Sequence, residues 1–251
     1  MNRLPARAGL HWLRDGFALF RRQPGVLTML LFANLLISIL VSSVNMVGPL
    51  LAVVLLPSFS MAVLQACSQI QQGQRATLAV LLTGFRKPVL PALCKLGLVY
   101  LALSMLLAAG ARLAIDPSAI AALSAPIDPA HAPQVNPGDL FAMLAVSLLQ
   151  IVAIISLCFA APLAVWQDMA IGKAIFYSFF AVLRSARVFL AMLLAWFGLY
   201  LMLAVLTLLV LGERNAGIVA LTWLMLMFML VLQCAIYVGY RQIFEPTEPA
   251  A

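Results

Sequence analysis

Six stretches of the chain are almost unbroken in apolar residues, at roughly 26–45, 48–67, 92–111, 140–163, 188–211 and 218–240. At 1.5 Å per residue each is long enough to cross about 30 Å of hydrocarbon, so the pattern predicts an all-α integral membrane protein with six transmembrane helices. Asn45, Gly48 and Pro49 lie between the first two stretches and supply turn residues, which predicts a tight hairpin. Before the first stretch the pattern changes. Over 9–24, Leu10, Trp12, Leu13, Gly16, Phe17, Leu19 and Phe20 fill one half of a helical wheel, and His11, Arg14, Asp15, Ala18, Arg21 and Arg22 fill the other. Such a helix is expected to lie in the membrane interface, with its aromatics toward acyl chains and its arginines toward anionic headgroups, and to end at Pro24.

Two degenerate copies of this helix follow. Phe20-Arg21-Arg22 falls on Phe85-Arg86-Lys87 at the end of RATLAVLLTGFRKP, and on Leu183-Arg184-Ser185 in GKAIFYSFFAVLRSAR, where Gly9 also falls on Gly172 and Phe17 on Phe180. Each copy leads directly into an outward span. The expected organisation is one polytopic domain of three units, at about 9–68, 74–165 and 172–240, each an interfacial helix plus a transmembrane hairpin. Insertion rules alone also place basic clusters before outward spans, so part of the match follows from topology. The second copy is the most degenerate and reads equally as a partly buried re-entrant helix. Only the second unit carries a long hydrophilic loop, 112–139, whose Pro117, Pro126, Pro129, Pro133 and Pro137 predict an extended conformation. The single His131 there reads as solvated, and the tail 245–251 as short and frayed.

Composition agrees with this pattern: 65% of residues are apolar and 9% charged, far from the near-quarter of charged residues in soluble proteins. The net charge of +7 would suggest nucleic acid in a soluble chain, but here the cations sit beside apolar spans, which points to lipid headgroups instead. With the amino terminus inside, all 15 Lys and Arg except Arg112 and Arg214 fall on the inner side. Both termini are therefore expected on the cytoplasmic side. The first span follows a long basic region with no small-residue cleavage pattern, so it reads as an anchor that stays. Cys67, Cys94, Cys158 and Cys234 all lie in or at the ends of spans, which argues against a disulfide framework. His11 and His131 have no metal-ligand spacing, and no cofactor is expected.

No HExxH, GxSxG, glycine-rich phosphate loop or paired carboxylates appear, and Lys95, Arg112 and Asp168 sit at span ends, so no enzyme chemistry is expected. Asp168, next to Trp166 and near Lys173, reads as a cap or ion-pair partner. The mid-span polar groups are neutral: Asn34 and Ser38 in the first span, Gln65 in the second, Gln150 in the fourth and Gln233 in the sixth. They read either as interhelical hydrogen bonds or as a polar seam for a solute or headgroup. Pro57 and Pro162 are expected to kink return spans. In the third copy Lys173, Tyr177, Arg184 and Arg187 fall on one stripe opposite Ile175, Phe176, Phe179 and Leu183, a pattern suited to a phosphate-rich surface.

The opening WLRDGFALFRRQP, followed by a span and the return GPLLAVVLLP, resembles a family of multi-pass inner-membrane proteins of β-proteobacteria. Trp12, Gly16, Phe17, Phe20, Arg21, Arg22 and Pro24 carry the resemblance, which implies a bacterial inner-membrane location and brings no reaction or ligand. The expected function is therefore non-enzymatic, an accessory or scaffold protein that engages inner-leaflet lipid, a protein partner or further copies of itself. The headgroup contacts would come from Arg14, Arg21, Arg22, Arg86, Lys87, Lys173, Arg184 and Arg187. The alternative is a transporter or channel-like protein using the seam of Asn34, Ser38, Gln65, Gln150 and Gln233.

Overall fold

The computed structural model describes residues 5–45, 47–86, 89–115, 136–212 and 215–245. Lys87, most of the Pro-rich loop with His131, and the tail beyond Glu245 lie outside the described residues. In chain order the helices are α1 (Arg7–Arg22), α2 (Pro24–Ser42), α3 (Gly48–Gln71), a 3-10 helix (Leu78–Phe85), α4 (Val89–Ala114), α5 (Pro137–Ser156), α6 (Ala160–Trp166), α7 (Ile171–Arg184), α8 (Ala186–Leu211) and α9 (Asn215–Phe244). Among the described residues there is no strand, and six helical stretches are long and apolar enough to span a membrane: α2, α3, α4, α5 with α6, α8 and α9. The protein is an all-α, multi-pass integral membrane protein.

Local chemistry explains where the helices begin and end. Pro24 opens α2, where a missing N–H costs nothing, and the single residue Gln23 separates it from α1. The first hairpin turns through Asn45, at φ 35°, a left-handed conformation that asparagine tolerates. Gly48 packs against the Val41 carbonyl, where a side chain would collide. Asn136 opens α5 by accepting from the Gly138 N–H at 3.3 Å.

The two prolines in return spans behave differently. Pro57 is accommodated inside a continuous α3. The fourth span instead breaks at Leu157, Cys158 and Phe159, and Pro162 sits in the first turn of α6, where its ring needs no preceding carbonyl. Three bonds satisfy the backbone opened by the break. The Ser178 hydroxyl accepts from the Phe159 N–H at 3.2 Å and donates to the Ser156 carbonyl at 2.7 Å, and the Tyr100 hydroxyl donates to the Leu157 carbonyl at 3.1 Å. Unpaired peptide groups are costly in an apolar medium, so Ser178, fully buried on α7, is a structural cap for a span on another part of the chain.

The segment before α4 is a 3-10 helix and not an α-helical copy of α1. It buries Val80 and Gly84 against α3 and also touches α2 and α4; a Cβ on Gly84 would sit 2.8 Å from the Ser58 carbonyl oxygen. In the same way α7 packs on α6 and α5, and α1 packs on α9 and α8. Each short helix thus rests on the hairpin that precedes it in the chain, except α1, which rests on the last.

Packing is concentrated at the end of the bundle where these short helices lie. No residue of α5 is buried, burial in α8 stops at Trp196, and in α9, Gly217 aside, it begins at Leu230. Three clusters of buried side chains fill that end. One joins α1 to α6, α7, α8 and α9, one joins α1, α2 and α3 to the 3-10 helix and α9, and one joins α3, α4 and α6. Trp166, the last residue of α6, packs against all three. Its ring meets Tyr237 and Tyr240 at centroid distances of 6.0 and 5.0 Å, and its indole N–H donates to Gln65 Oε1 at 2.9 Å.

Candidate functional site

Most of the candidate headgroup residues lie on α1 and α7, so those helices come first. On α1, Ala8, Gly9, Trp12, Gly16 and Leu19 are buried. Glycine permits the close approach: a Cβ on Gly16 would lie 2.6 Å from the Ala235 N, and one on Gly9 would run into the Val188 carbonyl. Trp12 is 1% exposed, stacks its edge on Phe189 at 5.5 Å and donates its indole N–H to Gln242 Oε1. Its ring lies over Gly239, where a Cβ would be 2.9 Å from Cε3.

This corrects the expectation that the aromatics of the opening helix face acyl chains. Trp12 faces protein because Gly239 leaves room for its ring, and Leu10 and Phe17, each 50% exposed, form the outward apolar strip with Leu13 and Phe20 beside them. Arg7, Arg14, Arg21 and Arg22 are all exposed on the remaining side.

On α7 the buried row is Ala174, Ser178 and Val182, small residues at four-residue spacing. Phe176, Phe179, Phe180 and Leu183 are exposed next to it, and Lys173, Tyr177 and Arg184 come beyond them. Taken round both helices in the same sense, the order is protein face, apolar face, cationic face. Arg187 does not complete the stripe with Lys173, Tyr177 and Arg184: α7 ends at Arg184, Ser185 intervenes, and Arg187 is exposed on α8. Gln23 and Ser185 are thus matching one-residue junctions. Aligning them sets Arg22 opposite Arg184, one residue away from the pairing of Arg21 with Arg184 that residue types suggested.

Beside α1 a polar valley runs along α9. A cavity of about 390 Å³ is lined by Arg7, His11, Trp12, Asp15, Val238 and Gln242 among others, and one of about 260 Å³ by Asp15, Ala18, Leu19, Arg22, Gln71 and Val238. A third, of about 190 Å³, includes Gln71 and Val238 with Arg241 and Glu245, which pair at 3.2 Å. Val238 is common to all three.

The chain is similar to a bacterial inner-membrane protein. A probable inner membrane protein of Burkholderia thailandensis, a β-proteobacterium, is 28% identical over an alignment of 266 positions that covers 98% of this chain and 94% of the relative. No family model and no solved structure matches. The similarity extends over the whole set of spans, so it supports a membrane protein of this length and span content and adds no activity.

The five groups expected to form a neutral seam are dispersed. Asn34 Nδ2 donates to the Phe59 carbonyl at 3.4 Å, while Gln65 accepts from Trp166. Ser38 and Gln150 are half-buried on α2 and α5, and Gln233 Oε1 is buried with no partner among the described residues. No hydrogen bond joins any two of the five. Asp168 also departs from expectation. It is exposed at φ 48° in the turn after α6, makes no ion pair with Lys173, and leaves α7 without a side-chain cap. Arg86 is exposed at the end of the 3-10 helix, apart from the α1 and α7 faces.

Three residues were not singled out from sequence. Ser178 and Tyr100 cap the broken span, and Gln23 ties the α1–α2 junction to the next loop, donating to the Gln74 carbonyl at 2.8 Å and accepting from the Ala76 N–H at 3.1 Å. The proline at 162 was the signal available for the first two. Nothing local marks Gln23.

Proposed function

We propose that the protein is a non-enzymatic scaffold of the bacterial inner membrane that engages anionic headgroups of the inner leaflet through α1 and α7. The observation that carries this reading is the three-sided order of α7: a row of small residues on the protein, four exposed aromatic or aliphatic side chains, then Lys173 and Arg184. A helix held at the boundary between a membrane protein, acyl chains and headgroups needs that order. The apolar face is too large to leave in water, and basic residues near an anionic leaflet contribute on the order of 1 kcal/mol each.

The reading includes an organisation and an orientation. The chain is three units, about 9–68, 74–165 and 172–240, in which each short helix docks on the hairpin before it and α1 closes the ring on the last. The docking of the 3-10 helix on α3, α7 on α6 and α1 on α9 supports this. Both termini face the cytoplasm, as the Lys and Arg distribution requires. In a cysteine-free background, His131→Cys should be labelled by a membrane-impermeant thiol reagent added to spheroplasts; protection there would reverse the orientation.

The headgroup role is tested by reconstituting the full chain and measuring phosphatidylglycerol carried through gentle extraction by native mass spectrometry. Exchanging Arg14, Arg21 and Lys173 together for Gln should reduce the retained lipid on the order of a hundredfold, as expected for three interfacial cations at about 1 kcal/mol each. Unchanged retention with the fold intact would overturn the reading.

A further inference from the structure

The valley beside α1 holds charges of both signs that have no ion-pair partner among the described residues. Asp15 and Arg22 both line the cavity of about 260 Å³, and both are exposed. They are seven residues apart on α1, two turns and about 10.5 Å along the axis. No ion pair links them, and neither has one elsewhere among the described residues. Apolar Ala18, Leu19 and Val238, and Gln71 from the end of α3, complete the lining. The backbone around Arg75 is tied to the same end of α1, although Arg75 does not line the cavity. The side chain of Gln23, the residue after Arg22, bonds to both of its neighbours, Gln74 and Ala76. Arg75 is itself exposed and has no ion pair among the described residues.

A purely anionic ligand would meet Asp15, and a purely cationic one would meet Arg22. We propose that this cavity binds a zwitterionic phosphate ester carrying a primary ammonium group, with the phosphate at Arg22 and the ammonium at Asp15. The polar amide of Gln71 can serve either a phosphate oxygen or an ammonium N–H. A phosphate ester of this kind has two sources, the headgroup of phosphatidylethanolamine or its soluble glycerophospho form. The site goes beyond the anionic contacts proposed for the outer faces of α1 and α7, and rests on that reading only in setting the valley at headgroup level.

The test uses the full chain reconstituted in equal amounts of phosphatidylethanolamine and phosphatidylglycerol, with the retained lipids quantified after gentle extraction. Retained lipid should be enriched in phosphatidylethanolamine. Asp15→Asn should lower that enrichment about threefold, as one partly exposed charge contact would, and Asp15→Glu should restore most of it. Arg22→Gln should lower retention of both lipids.

Displacement by soluble glycerophosphoethanolamine would assign the site to the head group alone, and lack of displacement to the intact lipid; both support the chemistry. An unchanged lipid ratio in Asp15→Asn, with circular dichroism and monodispersity intact, would overturn it. The two readings fail separately. Loss of phosphatidylglycerol in the triple exchange of Arg14, Arg21 and Lys173 with a flat Asp15→Asn result would remove only this site. The reverse pattern would leave the site and remove the general headgroup role.

Discussion

Helices α1 and α7 present the same order of faces, yet they are attached by opposite means. α1 sinks its largest side chain, Trp12, into a slot over Gly239, and exposes only two bulky apolar residues by about half. α7 buries only Ala174, Ser178 and Val182, and leaves Phe176, Phe179, Phe180 and Leu183 outside. Protein packing therefore holds α1, while the chain leaves the aromatic face of α7 uncovered. On the proposed reading the first acts as a clasp between the two ends of the chain and the second as a wedge in the bilayer.

The sharpest way to break this comparison is at the clasp. Trp12→Ala removes a fully buried indole and its bond to Gln242, and should lower stability by about 3 to 5 kcal/mol, the range for large aromatic truncations in cores. Gly239→Val approaches the same loss from the other side by forcing the ring out. Thermal unfolding in one fixed detergent would show both. A shift no larger than that of an exposed substitution such as Leu10→Ala would mean that α1 does not hold the ends together.

The second effect concerns the junction that α7 makes. Ser178→Ala keeps the small buried row but strands the Phe159 N–H and the Ser156 carbonyl, and should cost about 1 to 3 kcal/mol. Ser178→Thr offers a hydroxyl again and should recover part of the loss if the site accepts a methyl. An Ala variant as stable as the parent would show that water or another group can satisfy the break. For the wedge itself, Phe176→Ser with Phe180→Ser should leave unfolding in detergent within about 0.5 kcal/mol, because both rings are exposed. It should instead reduce quenching of a probe on α7 by lipids brominated near the headgroup.

The contrast also explains what could be read from residues alone. The six spans were legible because insertion depends on mean hydropathy over about 20 residues, which is a local property. So was the tight hairpin at Asn45 and Gly48. The slot for Trp12 was not, because Gly239 and Gln242 come from the far end of the chain and no periodicity reports a long-range neighbour. The same limit applies to the polar groups of the spans. Asn34, Gln65 and Gln233 were placed at suitable depths, but depth does not say which helix each one faces. Pro162 did signal a disturbance, yet the break falls at residues 157–159, where α6 can restart with proline in its first turn.

The smallest expected effect separates a packing role from a transport role for the neutral groups. Gln233 Oε1 is buried without a partner, and Asn34 makes one long bond to the Phe59 carbonyl while its Oδ1 is unpaired. A buried amide that is already unsatisfied contributes little, and replacing it with an apolar group of similar size is close to neutral. Gln233→Leu should therefore change stability by less than about 1 kcal/mol, and Asn34→Leu by no more, since side-chain contacts between membrane helices average about 0.6 kcal/mol. Neither should alter lipid retention at α1 or α7. If either substitution abolished a measurable solute flux in proteoliposomes while the fold stayed intact, those groups would line a path. The order of the comparison would then reverse, with α1 and α7 serving as supports for a channel between the spans.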